Sequence, residues 1–149
     1  MSLILVVDDD EIIRDMLYEL LSEEYDCQTA QTAEQALARL EVDKYDVVLT
    51  DISMPGLSGL ELLGHVRQKY PDTPVIIISG ISDKEHAQGL IRLGAFEFLL
   101  KPFRLEVVEK TVKRAVEHRR RTLARSRDRG GRIHDDEEAT EWKIVKDNR

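Results

Sequence analysis

Five short apolar runs recur along this chain, and a segment of helical period follows each one. The runs are LILVV (3–7), CQTA (27–30), VVLT (47–50), VIIIS (75–79) and FEFLL (96–100). The first, third and fourth are nearly continuous in β-branched residues and leucine, the pattern of strands covered on both faces. Between the runs, apolar residues return every three or four positions. Ile12, Ile13, Met16, Leu17, Leu20 and Leu21 form one stripe over 11–24, and Ala33, Ala36, Leu37 and Leu40 another over 32–41. Residues 58–69 place Leu60, Leu62, Leu63 and Val66 inward behind Ser58 as a cap; residues 83–93 place Ala87, Leu90 and Ile91 behind Asp83. A fifth segment, 104–123, carries Leu105, Val108, Val112, Ala115, Val116 and Leu123. Five such alternations predict an α/β domain, a doubly wound five-stranded parallel sheet with five helices on its faces.

At 149 residues the chain is long enough for about one domain with a real core. No apolar run approaches the roughly 20 residues of a membrane span. The N-terminus does not read as a signal peptide, because its apolar run is cut short by aspartates. Cys27 is the single cysteine, so neither a disulfide framework nor a cysteine zinc site is expected. These features fit a cytoplasmic location with no membrane association. Charge divides the chain: residues 1–103 carry a net of −11, residues 104–134 a net of +7, and residues 135–149 a net of −3. An acidic body over 1–103 with a basic extension is expected, one domain covering 1–121, followed by a polar linker or tail over 122–149 that could open a truncated effector region.

The acidic charge is concentrated where it is hardest to explain. LILVVDDDE (3–11) drives a buried strand straight into four carboxylates, whose mutual repulsion opposes folding unless something positive sits among them. In open α/β sheets, ligands bind beyond the carboxyl ends of the strands. Asp8, Asp9 and Asp10 follow the first strand and Asp51 the third, while Ser79 ends the fourth and Lys101 the fifth. All therefore project toward one edge of the sheet. Carboxylate oxygens, a backbone carbonyl and waters suit Mg²⁺, which takes few protein ligands and keeps several waters. A carboxylate nucleophile beside Mg²⁺, a lysine and a hydroxyl is equipment for phosphoryl transfer through an aspartyl phosphate.

The segments ILVVDDDEIIRDML, DVVLTDISMPGLSGLELL, PVIIISG and GAFEFLLKPF, in this order and spacing, resemble the receiver domain of two-component response regulators, the chemotaxis-Y-like family. The likeness covers roughly residues 3–120. It implies the flavodoxin-like strand order 2-1-3-4-5 and a role in phosphorelay signalling as a phosphoacceptor switch, not a turnover enzyme. By this resemblance Asp51 accepts a phosphoryl group from a sensor histidine kinase or phosphotransfer protein. Asp9 is implied as a direct Mg²⁺ ligand, Asp8 as its partner partly through water, and the backbone carbonyl of Ser53 as a further ligand. Ser79 matches the switch hydroxyl, Phe98 the switch aromatic, and Lys101 the lysine that pairs with the phosphoryl group. The Lys101–Pro102 bond is cis in this family. The face of helix 4, strand 5 and helix 5 is implied to respond, as the surface where family members form a homodimer or hold other partners.

Three residues depart from the common pattern. Phe98 stands where tyrosine is frequent, so the ring offers no hydroxyl. Ile81 and Ser53 flank the path of a hydrolytic water, and isoleucine cannot orient water; slow self-dephosphorylation is therefore expected. Asp10 and Glu11 read as helix-capping residues. Haloacid-dehalogenase-like phosphatases would need a D-x-D-x-[TV] pattern, which Asp8-Asp9-Asp10-Glu11-Ile12 breaks, and would leave Asp51 unexplained. A flavodoxin's phosphate loop would be repelled by three aspartates, and a P-loop is absent. HRRRTLARSRDRGGR reads as a solvated helix end and linker, without the aromatics or fold of a nucleic-acid site, so this chain is not expected to bind nucleic acid directly.

Overall fold

The structure, a computed structural model, describes residues 1–80 and 84–128, with the side chains of 84–86 and 128 outside the described set. Five strands, β1 (Leu3–Val7), β2 (Asp26–Ala30), β3 (Val47–Asp51), β4 (Val75–Ser79) and β5 (Glu97–Leu100), alternate with five helices. The helices are α1 (Glu11–Leu21), α2 (Ala33–Val42), α3 (Gly59–Lys69), α4 (Lys84–Arg92) and α5 (Leu105–Asp128). All strand pairings are parallel and the sheet order is β2-β1-β3-β4-β5, as expected from the sequence. Every residue of β3 and β4 is buried, which accounts for their nearly continuous apolar runs.

Side chains alternate between two cores, as the pleat requires. Leu5, Val7, Val48 and Ile77 face one core with Ala33, Ala36 and Leu40 of α2, Leu62, Leu63 and Val66 of α3, and Leu90 of α4. Ile4, Val6, Val47, Leu49, Ile76 and Ile78 face the other with Leu17 and Leu21 of α1 and Val108, Val112, Ala115 and Val116 of α5. Four residues expected inside from the helical stripes lie outside: Ile12 is 79% exposed, Met16 37%, Leu60 39% and Leu105 40%. Ile12 precedes Leu17 by five positions, about 140° around a helix, so the phase that buries Leu17 and Leu21 turns Ile12 to solvent.

Helix α5 continues to Asp128, beyond the apolar period that ended at Leu123. Leucine, alanine and arginine favour the helical state there. Its basic residues also have partners in the domain: Arg119 Nη1 meets Asp46 Oδ1 at 2.8 Å, and Arg120 Nη2 donates to Ser2 Oγ at 3.1 Å. The other oxygen of Asp46 accepts the Leu3 N–H at 2.7 Å, so one carboxylate joins α5 to the start of β1. Part of the basic run thus ties the helix to the end of the sheet remote from Asp8 and Asp51. Ile81, the cap expected at Asp83, and residues 129–149 of the expected tail lie outside the described residues.

Candidate phosphoacceptor and metal site

Asp8 directly follows β1 and is 1% exposed. Four groups of the fold hold it: its N–H donates to the Ala30 carbonyl at 3.2 Å, and its Oδ1 accepts the Asp10 N–H at 2.8 Å. Its Oδ2 faces Lys101 Nζ at 3.3 Å, and its carbonyl accepts a bond from Arg14 Nη1 at 2.9 Å. Asp9 is exposed. Asp10 caps α1, its side chain accepting from the N–H groups of Ile12 (2.9 Å) and Ile13 (3.4 Å). The adjacent aspartates therefore divide the work: Asp10 serves the helix, whereas Asp8 and Asp9 remain with the site.

Asp51 ends β3 and is 8% exposed. Its Oδ1 accepts the Ile52 N–H at 2.9 Å, and the Thr50 hydroxyl donates to its carbonyl at 2.9 Å. The chain then loops to α3, whose cap Ser58 and Glu61 form a reciprocal capping box. Gly59 N–H donates to the Ile52 carbonyl at 2.9 Å, which brings the backbones so close that a β-carbon at Gly59 would lie 2.1 Å from the Asp51 carbonyl oxygen. Only glycine fits this approach. Ser53 is exposed in the same loop.

Lys101 follows β5, and its N–H extends the ladder to the Ser79 carbonyl at 2.8 Å. The peptide to Pro102 is cis. Its Nζ lies 3.5 Å from Asp51 Oδ1, so one ammonium serves both Asp8 and Asp51. Asp8, Asp9 and Asp51 each offer an oxygen, and these oxygens lie within 4.8 Å of one another. Such an all-oxygen donor set fits a hard divalent cation. Burial raises the Asp8 carboxyl above its ordinary value, against the lowering effect of the Asp10 N–H and Lys101. Burial raises Asp51 too; Lys101 opposes that and Asp8 adds to it. A divalent cation would relieve both.

Ser79 ends β4, 2% exposed, and pairs in register with Leu100 immediately before Lys101. Phe98 pairs in register with Ile77 and packs half-buried against the core of α2, α3 and α4. The structure thus joins Asp8, Asp9, Asp51 and Lys101 directly, with Ser79 at the same edge. Two residues the sequence reading missed are Arg14 and Gly59. A cation in the first turns of a helix opposes the helix dipole, and that was the available signal for Arg14. For Gly59 it was a glycine directly behind a serine cap.

The family described as response regulator receiver domain matches residues 4–113. The chain is 39% identical over 118 residues to the DNA-binding transcriptional regulator NtrC of Salmonella typhimurium, covering 78% of this chain and 25% of that protein. It therefore spans about a quarter of the length of the curated relatives it matches. NtrX from Brucella abortus, solved in complex with ATP, superposes with a TM-score of 0.79 at 37% identity over 84% of this chain and 29% of that one. Vibrio cholerae chemotaxis protein CheY4 superposes with a TM-score of 0.73 at 33% identity, over 77% of this chain and 98% of that one.

Proposed function

The chain belongs to the receiver-domain family of response regulators, and from that premise we propose that it is a phosphorylation-controlled switch whose phosphoacceptor is Asp51. The observation that carries the reading is the shared ammonium of Lys101, 3.3 Å from Asp8 and 3.5 Å from Asp51 at the carboxyl ends of the strands. An Asp51 oxygen attacks the phosphorus of a phosphohistidine on a sensor histidine kinase or phosphotransfer protein. The P–O bond forms as the P–N bond breaks, and the electron pair departs with the imidazole nitrogen. Asp8, Asp9, Asp51 and the Ser53 carbonyl would hold Mg²⁺, which supplies charge neutralisation for the attacking and transferred oxygens. Lys101 turns from the Asp51 carboxylate to a phosphoryl oxygen.

Ser79 then donates its hydroxyl to the phosphoryl group, and Phe98 moves into the space this leaves. The face of α4, β5 and α5 changes shape and pairs with a second copy, a two-state element biased by one added charge. Ile81 and Ser53 support slow loss of the phosphoryl group. The NtrC relative is a DNA-binding transcriptional regulator; a corresponding effector downstream of α5 would receive the switch through that helix.

Amide hydrogen exchange with Mg²⁺, with and without beryllofluoride as phosphoryl mimic, tests the switch. Exchange is expected to change over α4, β5 and α5 in the wild type and not in Asp51→Asn, with light scattering reporting the dimer. Identical exchange in the presence and absence of the mimic would overturn it.

A further inference from the structure

Arg14 occupies an unfavourable place for a cation. It lies near the N-terminus of α1, where the dipole is positive, and it is 9% exposed. Helical side chains lean toward the N-terminus, so this one folds back over the first turn, and its Nη1 reaches the Asp8 carbonyl at 2.9 Å. That carbonyl belongs to the peptide joining Asp8 to Asp9. The rest of Asp8 is already fixed, by Ala30 at its N–H and by Asp10 and Lys101 at its carboxylate. Exposed Asp9, by contrast, takes its orientation from the Asp8–Asp9 peptide plane.

We propose that Arg14 is a positioning residue for the metal site: its buried guanidinium, bonded to the Asp8 carbonyl, locks the Asp8–Asp9 peptide so that the Asp9 carboxylate is held toward Asp8 and Asp51. The inference rests on the Mg²⁺ reading above and assigns no metal contact to Arg14 itself. Its sign separates positioning from charge. A guanidinium near a divalent cation repels it, so as a mere charge Arg14 would weaken Mg²⁺ binding and its removal would tighten it. As a positioning group it strengthens binding, and its removal weakens it. Groups that orient metal ligands without touching the metal typically contribute about 10–100-fold in affinity.

The test is Mg²⁺ titration by calorimetry on wild type, Asp9→Asn, Arg14→Met and Arg14→Lys, with the thermal midpoint of each measured without metal. Wild type binds and Asp9→Asn binds far more weakly if the metal reading holds; a wild type that does not bind overturns that reading and this one together. Arg14→Met is expected to bind about tenfold more weakly. If Arg14→Met does not fold, Arg14→Lys, which keeps the charge but loses the planar donor geometry, is expected to bind several-fold more weakly. In whichever variant folds, affinity equal to or tighter than wild type, even with a lowered thermal midpoint, overturns the positioning role.

Discussion

Lys101 Nζ lies 3.5 Å from Asp51 Oδ1, and the same nitrogen lies 3.3 Å from Asp8 Oδ2. One mostly buried ammonium therefore offsets two buried carboxylates. Removing it takes from both the ion-pair partner they share. Lys101→Met is expected to cost about 1–3 kcal/mol of stability at neutral pH without metal. Mg²⁺ should bind at least as tightly to this variant, because a competing cation is gone, while phosphoryl acceptance falls. Chemical denaturation with and without Mg²⁺ checks the first two, and weaker Mg²⁺ binding would contradict the account.

The two carboxyls also set a pH dependence. Burial raises both above the ordinary aspartate value of 3.8, so between that value and the raised one the folded chain binds more protons than the unfolded. Their contribution to stability is therefore most favourable at low pH and is lost as pH rises through the raised values. Asp51→Asn, which cannot ionise there, should be more stable than wild type at neutral pH without metal. The difference should shrink toward zero as pH falls below 4, and denaturation curves across this range would show it.

Asp10 and Asp9 should separate cleanly. Asp10→Ala removes an N-cap and is expected to cost about 1 kcal/mol in stability with little change in Mg²⁺ affinity. Asp9→Asn should do the reverse. Paired thermal melts and Mg²⁺ titrations of the two variants distinguish them.

Gly59→Ala places a methyl 2.1 Å from the Asp51 carbonyl oxygen, a contact with backbone that no rotamer relieves. A loss of about 3 kcal/mol or more is expected, with reduced phosphoryl acceptance because the displaced residue is Asp51 itself. Gly64→Ala is the control, since nothing lies within 4 Å of a β-carbon there.

Cys27 is half-buried, and burial pushes its thiol up to about 12. At pH 8 only ~1 in 10⁴ molecules would carry the thiolate, the form that reacts. Alkylation by iodoacetamide should therefore be slow in the native chain and fast in urea, as followed by intact mass.

The sheet was legible because burial on both faces favours apolar residues, and β1, β3 and β4 show it as apolar runs that give way only at their carboxyl ends, at Thr50, Asp51 and Ser79. The clustering was legible because residues at the carboxyl ends of parallel strands share one edge, which brings Asp8, Asp9, Asp51 and Lys101 together. Helix phase was harder. Ile12 is apolar yet exposed, and residue type alone cannot tell an outward isoleucine from a core one. Arg14 and Gly59 were missed because each acts through a backbone carbonyl, and a carbonyl has no signature in a sequence. Arg119 was read with the solvated basic run because its partner, Asp46, is distant along the chain.

The central claim is that Asp51 accepts a phosphoryl group with the help of a divalent cation. Incubation with a small phosphoramidate donor, followed by intact-mass spectrometry and peptide mapping, tests it most directly. The account predicts a single phosphoryl adduct on Asp51 that requires Mg²⁺ and is absent from Asp51→Asn. An adduct of equal yield in Asp51→Asn, or one formed equally well with chelator present, would contradict it.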